Sequence, residues 1–179
     1  MNGVQVRDTR PADRAAVEAV TLAAYAEYAT PMRELWSVYR ANIVATLADV
    51  EPAEQIVAEQ DGAVIGAALL YPAGHVVTTP DGAQIALRWP EIRLLAVAPG
   101  ARGRGVGAAL VKECLRRARL ADAPTVTLHT TDLMRAALRL YERLGFVRAP
   151  ELDFQPAPGM TIKGYRFREI LGGGGTCST

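Results

Sequence analysis

Residues 91–98, EIRLLAVA, run into the turn PGARGRGVGA at 99–108, and VGAALVKECLRRARLA carries on to 121. The order of apolar run, glycine-rich turn and amphipathic stretch reads as strand, loop and helix. In the helix, Val106, Leu110, Cys114 and Leu115 fall near one face, and Lys112, Glu113, Arg116, Arg117 and Arg119 fall mostly on others. Glycines let backbone approach a ligand closely. A helix start adds unpaired N–H groups and the positive end of a dipole, so the turn suits a phosphate. Arg102 and Arg104 add mobile positive charge.

The elements around this unit set the fold class. VQVRD alternates like a short strand, and Thr9 offers a cap, with Pro11 just inside, for a helix through 12–29 that Pro31 interrupts. A second helical run covers 32–50. EQIVAEQ and AVIGAALLY then flank Asp61-Gly62, a hairpin signal. Residues 72–83 read as a loop, and 83–99 as a long strand with a bulge near Pro90, which has no N–H for a ladder. TVTLHTT is a further strand. LMRAALRLYERL is a helix ended by Gly145, and FVRAPELDF and TIKGYRFREI are two antiparallel strands around a Pro-Gly loop. The sum is a mixed α/β sheet with helices on both faces. It forms one domain over 1–170, followed by a flexible Gly-rich tail at 171–179.

Composition narrows the partners. Twenty basic against 19 acidic residues give a net charge of +1, so no broad field draws the chain to nucleic acid or an anionic membrane. The longest apolar run is far short of the roughly 18 residues of a spanning helix. Cys114 and Cys177 make neither a disulfide framework nor a metal pattern, which fits a reducing cytoplasm. His75 and His129 lack a second ligand at metal spacing and read as surface or packing residues, so no metal is expected.

GRGVGA also satisfies the dinucleotide pattern G-x-G-x-x-A. A Rossmann turn leaves its strand almost at the first glycine, however, whereas PGAR intervenes here, and the unit follows an antiparallel hairpin. With Arg102-x-x-Gly105-x-Gly107 after LLAVAP, and LYERLGF at 140–146, the chain resembles the GNAT superfamily of N-acetyltransferases.

That resemblance implies a mostly antiparallel GNAT-like sheet with a splayed central strand pair, and acetyl-CoA as co-substrate. It implies backbone contacts to the pyrophosphate from Arg102, Gly103, Arg104, Gly105, Val106, Gly107 and Ala108. Leu95, Ala96 and Val97 would pair with the pantetheine arm, the Leu95 amide meeting the thioester carbonyl as an oxyanion donor. Tyr141 stands where many members carry a tyrosine that protonates the departing thiolate; the other reading is a core aromatic among Leu138, Leu140, Leu144 and Phe146. Glu91, eleven positions before Arg102, matches the catalytic glutamate of the histone-acetyltransferase branch; the other reading pairs it with Arg88 or Arg93. Where the family often carries a pantetheine-binding asparagine, the residue is Met134, with Thr131 or Asp132 as nearby substitutes.

The acceptor is expected between the first two helices and the last strands, near Tyr25, Tyr28, Trp36 and Tyr39, with Glu27, Glu34 and Asp153 available to a cationic amine. The expected activity is direct acetyl transfer to a primary amine on a small molecule or peptide, with a homodimer left open. A non-catalytic acetyl-CoA sensor and an NAD-dependent oxidoreductase are the rival readings.

Overall fold

The computed structural model describes residues 3–33, 35–78, 84–157 and 160–168. Glu34, Cys177 and the tail at 171–179 lie outside them. The elements are β1 (Gln5–Asp8), α1 (Arg14–Tyr25), α2 (Trp36–Ala48), β2 (Glu54–Gln60), β3 (Ala63–Tyr71), β4 (Val76–Thr78), β5 (Gln84–Ala86), β6 (Glu91–Val97), α3 (Val106–Leu120), β7 (Thr127–Thr130), α4 (Arg135–Leu144), β8 (Phe146–Arg148), β9 (Phe154–Ala157) and β10 (Met160–Phe167). The main sheet runs β1-β2-β3-β6-β7-β10-β8, with β9 paired to β10. Every pairing is antiparallel except β6 with β7.

Alternation along the strands sorts side chains into two cores. Ile56, Ala58, Ala68, Leu70 and Ile92 face α3 and α4 together with Val106, Leu110, Cys114 and Tyr141. Val57, Ala67 and Ala96 face α1 and α2 together with Val17, Tyr25, Ile43 and Leu47.

One extra residue in β6 breaks this alternation. Arg93 pairs with Leu69 and Ala96 with Ala67, so three steps on β6 match two on β3, and Leu94 takes a left-handed φ of 47°. This is a β-bulge. It reverses the parity of the strand: Ile92 faces the α3 core, as do Leu95 and Val97, while Leu94 and Ala96 face the α1–α2 core. The bulge expected near Pro90 therefore lies four residues later, because Pro90 precedes the strand instead of interrupting it.

Other boundaries differ for local reasons. Residues 72–83 were expected to be loop, but they contain β4, which pairs with β5 as a separate two-stranded ribbon. The first helix begins after a tight turn at Pro11–Asp13, where the Asp13 carboxylate accepts from the Arg10 N–H at 2.7 Å. Thr9, expected to cap that helix, instead donates its hydroxyl to the Gln55 carbonyl across the sheet. The single strand expected over 146–154 is split by a turn at Pro150–Leu152 into β8 and β9, both on β10. That turn crosses β10 at Gly164, where a Cβ would stand 2.3 Å from Leu152 Cβ, so only glycine fits.

Candidate active site

β6 and β7 pair only at Glu91 with Thr127 and Ile92 with Leu128, and beyond that point they part. The fork opens into a cleft of about 1390 Å³ that runs from the glycine loop to the aromatic cluster between α1 and α2. Glu91, Leu95, Val97, Arg102, Gly103, Gly105, Val106, Gly107, Ala108 and Tyr141 all line it. Ala96, 1% exposed, turns its side chain into the α1–α2 core, and Arg104 points outward to Gln60 Oε1.

At the loop end the groups on offer are backbone. Gly103 and Gly105 have φ of 74° and 81°, a region that costs other residues about 1–2 kcal/mol. Val106, Gly107 and Ala108 form the first turn of α3, whose N–H groups have no intrahelical acceptor. The arginine side chains do not hang free over the loop as expected. Arg102 donates to Glu27 Oε2 at 3.0 Å and to the Ala24 carbonyl at 2.9 Å, tying the loop to the end of α1.

Along β6 the backbone direction follows from the ladder. The Ala98 N–H donates to the Ile65 carbonyl at 2.9 Å, so alternation sends the backbone groups of Ala96 to β3 and those of Leu95 and Val97 toward the cleft. Tyr141 is 6% exposed on α4, its ring 5.8 Å from that of Phe146. It is both a core aromatic and a wall of the cleft. Burial pushes its phenol well above the ordinary range, so it remains protonated at neutral pH.

The fork itself holds charge. Glu91 is 2% exposed; it accepts from Arg93 Nε at 2.5 Å and lies 3.2 Å from His129 Nδ1. The other ring nitrogen of His129 stands 2.9 Å from the Leu152 carbonyl. Burial alone would raise the Glu91 pKa, but the His129 hydrogen bond and the Arg93 charge outweigh it and hold the carboxyl below its usual value. Burial likewise disfavours imidazolium, and the bond to Glu91 overrides it, so His129 titrates above its ordinary value. Both ring nitrogens face acceptors, which is the pattern of an imidazolium.

His129 was expected to be a surface or packing residue. The parallel register places it one step beyond Leu128, at the fork, a position no local pattern marks. Thr130 and Thr131 follow it in the cleft wall, buried to 3% and 8% exposure, with hydroxyls that have no partner among the described residues. Asp132, the other substitute considered for the missing asparagine, is held by Lys163 at 2.6 Å.

On the acceptor side Tyr25 packs against Tyr28 and Tyr39, with ring centroids 6.0 and 5.9 Å apart, and all three line the cleft. Burial pushes Tyr28 and Tyr39 up to about 12. Glu27 and Asp153, expected to draw a cationic amine, are already bound to Arg102 and Arg148.

A bulged strand thus leaves its parallel neighbour, and a glycine loop and helix start stand at the end of the gap. The Acetyltransferase (GNAT) family matches residues 21–146, and the chain belongs to that family. A GNAT-family acetyltransferase from Staphylococcus aureus Mu50 superposes with a TM-score of 0.68 at 13% identity, over 92% of this chain and 98% of that one. One from Brucella melitensis, solved in complex with acetyl-CoA, gives 0.59 at 28% identity over 82% and 84%. Among curated relatives, a mycothiol acetyltransferase of Streptomyces avermitilis is 37% identical over 42% of this chain and 27% of its own length. An N-acetylaspartate synthetase of Danio rerio is 39% identical over 40% and 25%. A mycothiol acetyltransferase of Sanguibacter keddieii is 33% identical over 87% and 47%. The chain thus spans between a quarter and a half of the length of these relatives. The dinucleotide reading is set aside, since the strand preceding the loop is flanked by antiparallel β3 instead of a doubly wound sheet. No helix among the described residues is long and apolar enough to cross a membrane. The cleft offers glycine backbone at one end, an unpaired strand edge in the middle, and a buried phenol beside it.

Proposed function

We propose that the protein transfers an acetyl group from acetyl-CoA directly to a primary amine of a small molecule or peptide. The observation that carries this reading is the fork between β6 and β7, which joins the loop end and the aromatic end in one cleft. That continuity supports direct transfer, because one cleft gives both substrates access to Leu95 and Tyr141. Cys114, the one described thiol, is sealed in the core and its pKa is pushed up to about 12, so it offers no nucleophile.

Acetyl-CoA supplies an activated acetyl group on a thioester. The amides from Arg102 to Ala108 hold its pyrophosphate, and the backbone of Leu95 and Val97 guides the pantetheine arm, Ala96 being turned to β3. The Leu95 N–H is the donor for the carbonyl oxygen that gains charge as the amine attacks. Thr131 takes over the hydrogen bond that Met134 cannot make, its hydroxyl being buried, unpaired and in the cleft wall. Tyr141 gives its proton to the departing sulfur. Burial penalises both anions, so the phenol and a thiolate in the same place stay comparably matched. Glu91 receives the ammonium's proton through water, since both its oxygens are engaged.

The test is the melting midpoint with acetyl-CoA, coenzyme A, NADH or no ligand, followed by release of free coenzyme A on adding amines. A ligand at 100 times its Kd adds about 2.7 kcal/mol, roughly 5–10 °C for a chain of this size. A shift with both coenzyme A forms and none with NADH, then thiol release that depends on an amine, is the expected result. A shift without release under any amine makes the protein a sensor.

A further inference from the structure

The carboxylates lining the cleft can be matched pair by pair. Glu27 is bound to Arg102, Glu91 to Arg93 and His129, Glu151 to Arg166, and Asp153 to Arg148. Every described carboxylate of the wall therefore has a cationic partner. Arg88 is the reverse case, as are Arg139 and Arg143 on α4, and Arg88 is the one on the segment before β6. It lines the cleft on the acceptor side and has no carboxylate partner among the described residues; its guanidinium lies 4.5 Å from the Trp89 ring centroid.

Arg88 is also held in place. The Leu87 N–H donates to the His75 carbonyl at 2.8 Å, and the Gly74 N–H donates to the Leu87 carbonyl at 2.7 Å. Two residues further on, the Pro90 carbonyl accepts from the Thr127 N–H at 2.9 Å. The backbone is thus pinned on both sides of Arg88, and stacking on Trp89 orients its planar fork.

The local sum is positive. Arg88, Arg93 and an imidazolium at His129 stand against one carboxylate, Glu91. A purely cationic amine meets repulsion there, while an anion on the same molecule is attracted and can be bound by two parallel N–H bonds. Around Arg88 the wall is apolar, with Val77, Ile85 and Leu87 from the ribbon side.

We propose that the acceptor is an amine bearing a carboxylate on an apolar body, and that Arg88 is the residue that selects it by binding the carboxylate. This rests on the acetyl-transfer reading given above.

The test uses ligand pairs with and without the anion; the N-acetyl pair carries no titrating amine, and the lower basicity of the leucinamide amine cancels when wild type is compared with Arg88→Gln. L-Leucine and L-leucinamide serve as acceptors with acetyl-CoA, and N-acetyl-L-leucine and N-acetyl-L-leucinamide serve as non-reacting binders to the full chain with coenzyme A. The acid should bind about 10- to 100-fold tighter than the amide, with the smaller Kd, as a charged hydrogen-bonded pair allows. In Arg88→Gln the Kd ratio should fall to near one, and the acid-to-amide ratio of kcat/KM should fall about 10- to 100-fold from its wild-type value. Equal binding of acid and amide, no binding of either, or a preference that survives Arg88→Gln overturns the proposal. Acid-selective binding that depends on Arg88, without turnover of any amine, upholds the carboxylate site and removes acetyl transfer instead, so the two readings fail separately.

Discussion

The two ends of the cleft are made of different material. At the loop end the groups that face the cleft are backbone amides, proposed to bind the donor, and the arginine side chains nearby are turned away to Glu27, Ala24 and Gln60. At the fork and the acceptor end the groups are side chains brought together from β6, β7, α1, α2 and the segment before β6. Backbone recognition needs a particular chain path and tolerates many sequences. Side-chain recognition needs particular residues, and these can change the acceptor while the loop stays the same. One domain can therefore keep a fixed donor site and vary its partner.

Tyr141 stands at the junction, and the sharpest test of the division falls there. Tyr141→Phe should lower kcat by about 10²- to 10⁴-fold while leaving the acetyl-CoA melting shift nearly intact. Steady-state rates beside a thermal titration measure both. Equal losses in both would make the phenol part of the donor site and blur the division. Glu91→Gln should have the next largest effect, about 10²-fold in kcat, greatest at low pH where removal of the ammonium proton limits the rate. A pH–rate profile parallel to that of wild type would place the proton's route elsewhere.

The same contrast decides what was legible in the sequence. The order of elements, the hairpin at Asp61-Gly62 and the strand–loop–helix unit were readable, because turn glycines and periodic apolar residues leave local marks. β2 and β3 match their expected limits residue for residue. The bulge at Leu94 was not locatable, since it depends on register with β3 and leaves no glycine or proline behind. β4 was hidden in a Pro-Gly stretch that reads as loop. His129 and the partnerless Arg88 have meaning only through contacts between segments far apart in the chain, which no spacing encodes. Tyr141 and Glu91 were named through resemblance, and the pairing of Glu91 with Arg93 was anticipated as its alternative reading.

Stability separates the two ends as well. The wall of the acceptor end is nailed to β10 at Gly164, whose N–H donates to Asp153 Oδ1 and whose carbonyl accepts from Arg148 Nη1, both at 2.9 Å. Gly164→Ala drives a methyl into Leu152 and should cost about 1–3 kcal/mol, as overpacking does, lowering Tm by roughly 2–12 °C. Gly105→Ala meets no atoms within 4 Å but must hold a φ of 81°. Its cost of about 1–2 kcal/mol should appear as weaker acetyl-CoA binding, about 5- to 30-fold, more than as a lower Tm of the free chain. If Gly105→Ala instead melts early and binds normally, the loop is a structural cap and the backbone reading of the donor end fails.

The smallest expected effect tests the charge at the fork. His129 has its pKa raised in the fold above the ordinary 6.5, so its contribution is complete below pH 6.5 and is lost as pH rises through the folded value. Glu91 has its pKa lowered below the ordinary 4.5, so its contribution is complete above pH 4.5 and is lost as pH falls through the folded value. The pair therefore stabilises fully between about pH 4.5 and 6.5, and the first loss on leaving neutrality toward alkali belongs to the imidazole. When that ring gives up a proton it can no longer donate to both Glu91 and the Leu152 carbonyl, and the turn at Pro150–Leu152 loses one tie to β7. His129→Gln keeps a neutral donor without the titration. Its Tm should be lower than wild type at pH 6, and the gap should narrow as pH rises past the wild-type imidazole value. A gap constant from pH 6 to 9 would mean that His129 is neutral in the fold and that the acceptor end carries one positive charge fewer.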